Sequence, residues 1–173
     1  MARPRVGVLS LQGDFARHGA ALGALGAEPV RISRPEHLRD LEAMILPGGE
    51  STTMLRLLEA TGLRAPLEAF VSCRPVLGTC AGLVLLAKEA GALPAPTLGL
   101  LDVSVERNAY GRQVDSFSCP LEVPALGGSF DGVFIRAPRI RRVGAGVEVV
   151  ARAAGGEPVA VRAGRAAGLA FHP

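Results

Sequence analysis

The sequence predicts an α/β fold: a parallel sheet covered on both faces by helices, with an antiparallel or mixed extension. Three observations predict it. Up to Lys88, short apolar runs alternate with segments of helical periodicity. Beyond Lys88, strand-length runs follow one another, split by Gly, Pro and Asn, with few helix signals. Between the two patterns, the apolar run Pro75-Val76-Leu77 meets Gly78-Thr79-Cys80-Ala81-Gly82 and passes into the helix-like Leu83-Val84-Leu85-Leu86.

Taken in order, Arg5–Ser10 reads as a buried opening strand. Phe15, Leu22 and Leu25 recur at helical spacing, and Asp14 is placed to cap that helix. Ala27–Ile32 and Leu41–Leu46 are further strands, the latter stopped by Pro47-Gly48-Gly49. Helices are expected over Ser51–Ala60 and Ala65–Val71, then the strand and helix around Cys80. Gly91–Pro96 is a loop. Leu101–Arg107, Gln113–Cys119, Gly132–Ile135, Val147–Ala151, Pro158–Arg162 and Gly168–Phe171 are the later strand candidates.

At 173 residues and 49% apolar composition, the chain is long enough for one domain, 1–173, with a substantial core. No apolar run approaches the ~18–20 residues of a membrane span. Met1-Ala2-Arg3-Pro4-Arg5 leads straight into a strand, so no secretion signal is read. Three cysteines without framework spacing suggest reduced thiols and a cytoplasmic location. The net charge of +3 rests on scattered arginines, and aromatics are only 4%, which gives no stacking face for nucleic acid.

Gly78-Thr79-Cys80-Ala81-Gly82 is a nucleophile elbow with cysteine at its tip. Backbone N–H groups of the following helix would favour the thiolate. The alternative is an ordinary strand–helix turn around an inert cysteine. His172 ends an apolar strand, at the sheet rim where ligands meet strand ends, and can supply the base and the proton that a thiol reaction needs. His18, on a helix, and His37, in a polar turn, compete for that role but read as surface or core-edge residues. Pro47-Gly48-Gly49-Glu50-Ser51-Thr52-Thr53 is a strand–glycine–helix junction whose N–H groups can bind an oxyanion or carboxylate; an ordinary glycine turn with a Ser/Thr cap is the rival reading. Lacking Gly-Lys-Ser/Thr, it is no phosphate-binding P-loop. Arg107 and Arg136 sit near strand ends, where a guanidinium can take a carboxylate bidentately or simply be solvated. Arg136, Arg139, Arg141 and Arg142 form the densest basic cluster and read first as a solvated face and second as a substrate or partner contact. Cys73 and Cys119 read as small structural hydrophobes, and no metal or cofactor is expected.

Leu11-Gln12-Gly13, Leu46-Pro47-Gly48-Gly49-Glu50-Ser51-Thr52-Thr53-Met54, Gly78-Thr79-Cys80-Ala81-Gly82, Val105-Glu106-Arg107-Asn108, Gly111-Arg112-Gln113-Val114-Asp115-Ser116-Phe117, Phe134-Ile135-Arg136-Ala137-Pro138 and Phe171-His172-Pro173 occur in this order. In that order they closely resemble the glutaminase subunits of pyridoxal 5′-phosphate synthase, a family of class I, triad-type glutamine amidotransferases. The resemblance spans essentially the whole chain. It implies a three-layer α/β/α fold with a mixed, mostly parallel central sheet. It implies hydrolysis of L-glutamine to glutamate and ammonia, with ammonia passed to a separate synthase subunit in a hetero-oligomer. The reaction classes that accompany it are hydrolase and lyase. It implies Cys80 as nucleophile and His172 as acid/base; Gly49, Glu50, Ser51, Arg107, Ile135 and Arg136 as glutamine contacts; the N–H groups of Gly49 and Ala81 as oxyanion donors; and Gln12 as a contact to the synthase. Which arginine takes the substrate carboxylate stays open.

In the family pattern the final motif continues His-Pro-Glu, the glutamate being the third triad member, whereas this sequence stops at Pro173. The expectation is weak or no glutaminase activity for the sequence as it ends there, and ordinary activity with the next residues present. A resting state with a rotated Gly48-Gly49 peptide, lacking one oxyanion donor, is also expected. The rival functions are a glutaminase serving another synthetase and a non-catalytic, thiol-sensing module on the same fold.

Overall fold

The computed structural model describes residues 2–107, 109, 116–123 and 128–173. Asn108 and Tyr110–Asp115, which include the start of the expected strand Gln113–Cys119, lie outside the described residues. The first half is built from β1 (Arg5–Leu9), α1 (Phe15–Ala24), β2 (Glu28–Ile32), β3 (Ala43–Leu46), α2 (Ser51–Ala60), α3 (Arg64–Cys73), β4 (Val76–Thr79) and α4 (Ala81–Leu86). The second half is nearly all strand: β5 (Ala87–Glu89), β6 (Leu101–Glu106), β7 (Phe117–Val123), β8 (Gly128–Phe134), β9 (Arg139–Val143), β10 (Glu148–Arg152), β11 (Pro158–Ala163) and β12 (Ala166–Leu169).

Nine strands form one mixed sheet in the order β2-β1-β3-β4-β12-β11-β10-β7-β8. The run from β2 to β12 is parallel, and from β12 onward each strand is antiparallel to its neighbour. Strand alternation sends side chains to two covered faces. Val6, Val8, Ile45 and Leu77 meet Phe15 and Leu22 of α1 on one face. Leu9, Met44, Leu46 and Val76 join the larger core with α2, α3 and α4 on the other. All six residues of α4 are buried. Its termini are therefore enclosed by structure rather than by water, and Cys80 stands at its start.

Local chemistry sets the helix starts. Asp14 accepts from the N–H of Arg17 at 3.2 Å. The Glu50 carboxylate accepts from the N–H groups of Thr52 and Thr53 at 3.1 and 2.7 Å. Such a cap typically contributes about 1 kcal/mol.

Three expectations need correction. Leu25 does not join the apolar face of α1: the helix ends at Ala24, and Leu25 is 83% exposed beyond it. The second half is not only an extension of the main sheet, because β5, β6 and β9 form a separate three-stranded sheet. Arg136, Arg141 and Arg142 of the arginine cluster are exposed, as a solvated face requires, but Arg139–Val143 is also a strand that was not expected. In β9, Ile140 is buried while the arginines beside it pair: Arg139 with Glu157, Arg141 with Glu106, and Arg142 with Asp102 and Glu89 at 3.0 and 3.2 Å. Four arginines in seven residues masked the alternation, because each carboxylate partner comes from elsewhere in the chain.

Candidate active site

The elbow forms because two glycines let the chain fold back against itself. A Cβ on Gly82 would run into the carbonyl oxygen of Leu46, and one on Gly78 would sit 2.5 Å from the Gly82 backbone. The turn so made holds Cys80 at φ 50° and ψ −104°, a region costly for a side-chain-bearing residue, typically by ~1–3 kcal/mol. The Cys80 N–H is tied to the Leu169 carbonyl of the adjoining β12 at 2.8 Å.

Cys80 opens onto a cavity of about 370 Å³. Gln12, Gly49, Glu50, Ser51, Ala81, Arg107, Ile135, Arg136 and His172 line it as well. The residues that the resemblance implies for catalysis, the oxyanion, glutamine and the synthase contact thus all line a single cavity, whereas His18, His37, Cys73 and Cys119 do not. Val84 and Pro138 also line it and were not anticipated. Val84 had a signal: it lies four residues beyond Cys80, one helical turn deeper on the same face.

Burial pushes the Cys80 thiol up to about 11, although the N–H groups of Ala81 and Gly49 both hydrogen-bond the sulfur and pull the other way. The expected thiolate is therefore not the resting form. Desolvation outweighs the two donors, so a base must take the proton during attack.

His172 is held by β8. Its N–H donates to the Val133 carbonyl at 2.8 Å, and the Val133 N–H donates back to its carbonyl at 3.1 Å. Its ring packs on the α-carbon of Gly48: a Cβ there would overlap ring carbon Cε1 and lie 2.7 Å from Nδ1. Burial, then the neighbouring charges of His18 and Arg17, lower its pKa, with Asp14 opposing. It is therefore neutral at physiological pH, the form that can accept a proton.

The glycine loop is braced from within. The Gln12 side-chain oxygen accepts from the Glu50 N–H at 2.7 Å. Burial alone would raise the Glu50 pKa, but hydrogen bonds from Thr53 and Thr52 overcome it and hold the carboxyl below its ordinary value. That carboxylate occupies the start of α2, so the helix terminus is not open to a substrate carboxylate. Arg107 is fixed by donating to the Thr52 hydroxyl at 3.1 Å and to the Ala92 carbonyl at 2.8 Å. Arg136 is exposed, with left-handed backbone at φ 46°. His37 lies away from the cavity lining and accepts from the Ser33 N–H at 3.3 Å. Among the described residues no three His, Cys, Asp or Glu side chains gather to hold a metal ion, and no helix is long and apolar enough to cross a membrane.

Together, an elbow cysteine on an α/β sheet, two backbone donors and an imidazole define a site of the glutamine amidotransferase class. The chain belongs to the SNO glutamine amidotransferase family, whose profile matches residues 8–173. It is 52% identical over 171 residues to the pyridoxal 5′-phosphate synthase subunit PdxT of Pelotomaculum thermopropionicum, covering 98% of this chain and 87% of that one. The subunit of the same name from Geobacillus kaustophilus is 48% identical over 170 residues, covering 98% and 86%. A solved structure described as a glutamine amidotransferase superposes with TM-score 0.90 at 51% identity, covering 97% of this chain and 89% of that one. The lyase class does not hold. The family is one of glutamine amidotransferases, and splitting a carboxamide with water through an acyl-thiol is hydrolysis, with no elimination step.

Proposed function

We propose that this protein is the glutaminase subunit of a pyridoxal 5′-phosphate synthase: it hydrolyses L-glutamine to L-glutamate and ammonia for vitamin B6 biosynthesis. The observation that carries this reading is the pair of N–H groups, from Gly49 and Ala81, converging on the Cys80 sulfur beside His172 in one cavity. Its near 50% identity to PdxT subunits supports the choice of pathway. Three free cysteines suit a reducing cytoplasm.

Cys80 gives its proton to His172 as sulfur attacks the side-chain carboxamide carbon. The carbonyl oxygen becomes an oxyanion, held by the N–H groups of Gly49 and Ala81; such a donor is typically worth ~3–4 kcal/mol. Collapse breaks the C–N bond, and the nitrogen leaves as ammonia with the proton from His172. Water then attacks the thioester, giving a proton to His172, and the C–S bond breaks to release glutamate and restore the thiol. Arg107, already fixed in place, and Arg136 are the cations available for the substrate α-carboxylate. Ser51, Glu50 and Ile135 complete the wall against the amino-acid end.

Ammonia set free in bulk solvent is lost to synthesis, so the product is taken by a synthase subunit docked over the site, with Gln12 at the contact. The test is glutamate release with and without the synthase subunit of pyridoxal 5′-phosphate synthase, for a chain carrying the His-Pro-Glu continuation of the family pattern and for its Cys80→Ala variant. The expected result is Cys80-dependent release that the synthase increases. Release that survives Cys80→Ala refutes the mechanism.

A further inference from the structure

His18 is the one histidine near the cavity that the mechanism leaves unused. It lies in α1, yet its Nε2 is 3.4 Å from the hydroxyl oxygen of Thr79. Thr79 is fully buried, with 0% exposure, and immediately precedes Cys80. A buried hydroxyl needs a partner, and the partner here comes from α1, on the face of the sheet that Leu77 also lines. We propose that His18 is a positioning residue for the nucleophile: neutral, it pairs with the Thr79 hydroxyl, fixes the end of β4 below Cys80, and keeps a second positive charge away from His172 during turnover.

The chemistry of the pair favours the neutral ring. A hydroxyl both donates and accepts, so it can satisfy either tautomer of a neutral imidazole, whereas the charged ring only donates. The groups around this spot are few. Asp14 and Arg17 sit on the first turn of α1 and are paired with each other at 3.2 Å. Thr79 faces His18 from β4, and His18 lies near enough to His172 for its charge to act there. Burial, the larger influence, lowers the His18 pKa, and Asp14 opposes it. His172 must carry a proton once Cys80 has surrendered it, and a protonated His18 nearby opposes that charge. A neutral His18 therefore serves both halves of the dyad: it orients the elbow through Thr79 and leaves the field at His172 free for one proton.

As a role in turnover this takes the glutaminase reading as given, so one test reads glutamate release and another does not. In the complex with the synthase subunit, His18→Ala and Thr79→Val each lower kcat about tenfold with KM nearly unchanged, since a small misplacement of reacting groups costs rate rather than binding. The double variant is no worse than the weaker single variant, because both remove one interaction. Thr79→Ser, which keeps the hydroxyl, restores most of the rate. Independently, ring-proton NMR of the three histidines follows each titration without substrate. Thr79→Val moves the His18 midpoint to higher pH, because the hydroxyl that favours its neutral ring is gone. Additive losses in the double variant, or a His18 midpoint that Thr79→Val leaves in place, overturn the proposal. If Thr79→Val moves His18 but a chain carrying the His-Pro-Glu continuation of the family pattern releases no glutamate, the pairing is upheld and the glutaminase reading fails.

Discussion

The two halves of this molecule contribute to one cavity by different means. The parallel half supplies Cys80, Gly49 and Ala81 from turns that directly follow β3 and β4, where one strand hands over to the next helix. Their placement is local: a few glycines, a cap and the strand ends fix it. The antiparallel half supplies His172, Ile135 and Arg136 through pairings between segments far apart in sequence. His172 reaches the elbow only because β12 lies beside β4 and because Val133 of β8 closes a two-bond bridge onto it. The reactive atom is thus built by short-range geometry and its proton partner by topology. Changes in the first half should remove chemistry outright, and changes in the second should misplace it.

The largest expected effect lies at the local end. Cys80→Ala removes the only atom that can form the acyl intermediate, and glutamate release should fall by about 10⁴-fold or more. Calorimetry should still detect glutamine, because the wall formed by Glu50, Arg107 and Arg136 is untouched. Lost binding as well as lost turnover would mean that the elbow also holds substrate, which would blur the division between halves.

Gly48 is where the halves touch, and Gly48→Ala is the next step down. Its Cβ would occupy the position of the His172 ring. The imidazole must move while the elbow stays, so kcat should fall roughly a hundredfold, and alkylation of Cys80 by iodoacetamide, which needs the same base, should slow as well. Alkylation at the wild-type rate would show that the thiol does not give its proton to His172.

How much of this was legible in the sequence follows the same division. The elbow, the glycine loop and the helix over Ser51–Ala60 were readable because their signals lie within a few residues: paired glycines, an N-cap, an apolar strand ending at a proline. The strand Arg139–Val143 was not, since its arginines are neutralised by Glu157, Glu106, Asp102 and Glu89 from other elements. The thiol state of Cys80 was misjudged for a related reason. The donors are local and visible in the motif, but the burial that overrides them comes from the whole fold. His18 read as an edge residue because nothing in its own helix points to Thr79, 61 positions away in the chain.

Val133→Pro tests the topological end directly. Proline has no N–H to give the His172 carbonyl, which breaks one of the two bonds of the bridge. Turnover should fall about tenfold, with glutamine affinity little changed, a signature of misplacement rather than loss.

The smallest effect is on stability and concerns both halves at once. His18 and His172 each have pKa values lowered in the folded protein, chiefly by burial. The unfolded chain therefore binds protons first as pH falls. The sign follows: stability is fully present above the ordinary histidine value of about 6.5 and is lost as pH drops below it. Thermal unfolding should occur at progressively lower temperature from pH 7 to pH 5, and His18→Asn, which cannot titrate, should lose less over the same interval. If the variant tracks the wild type throughout, His18 is hydrated enough in the fold to take its proton freely, and the link it makes between the first helix and the elbow is weaker than its burial indicates.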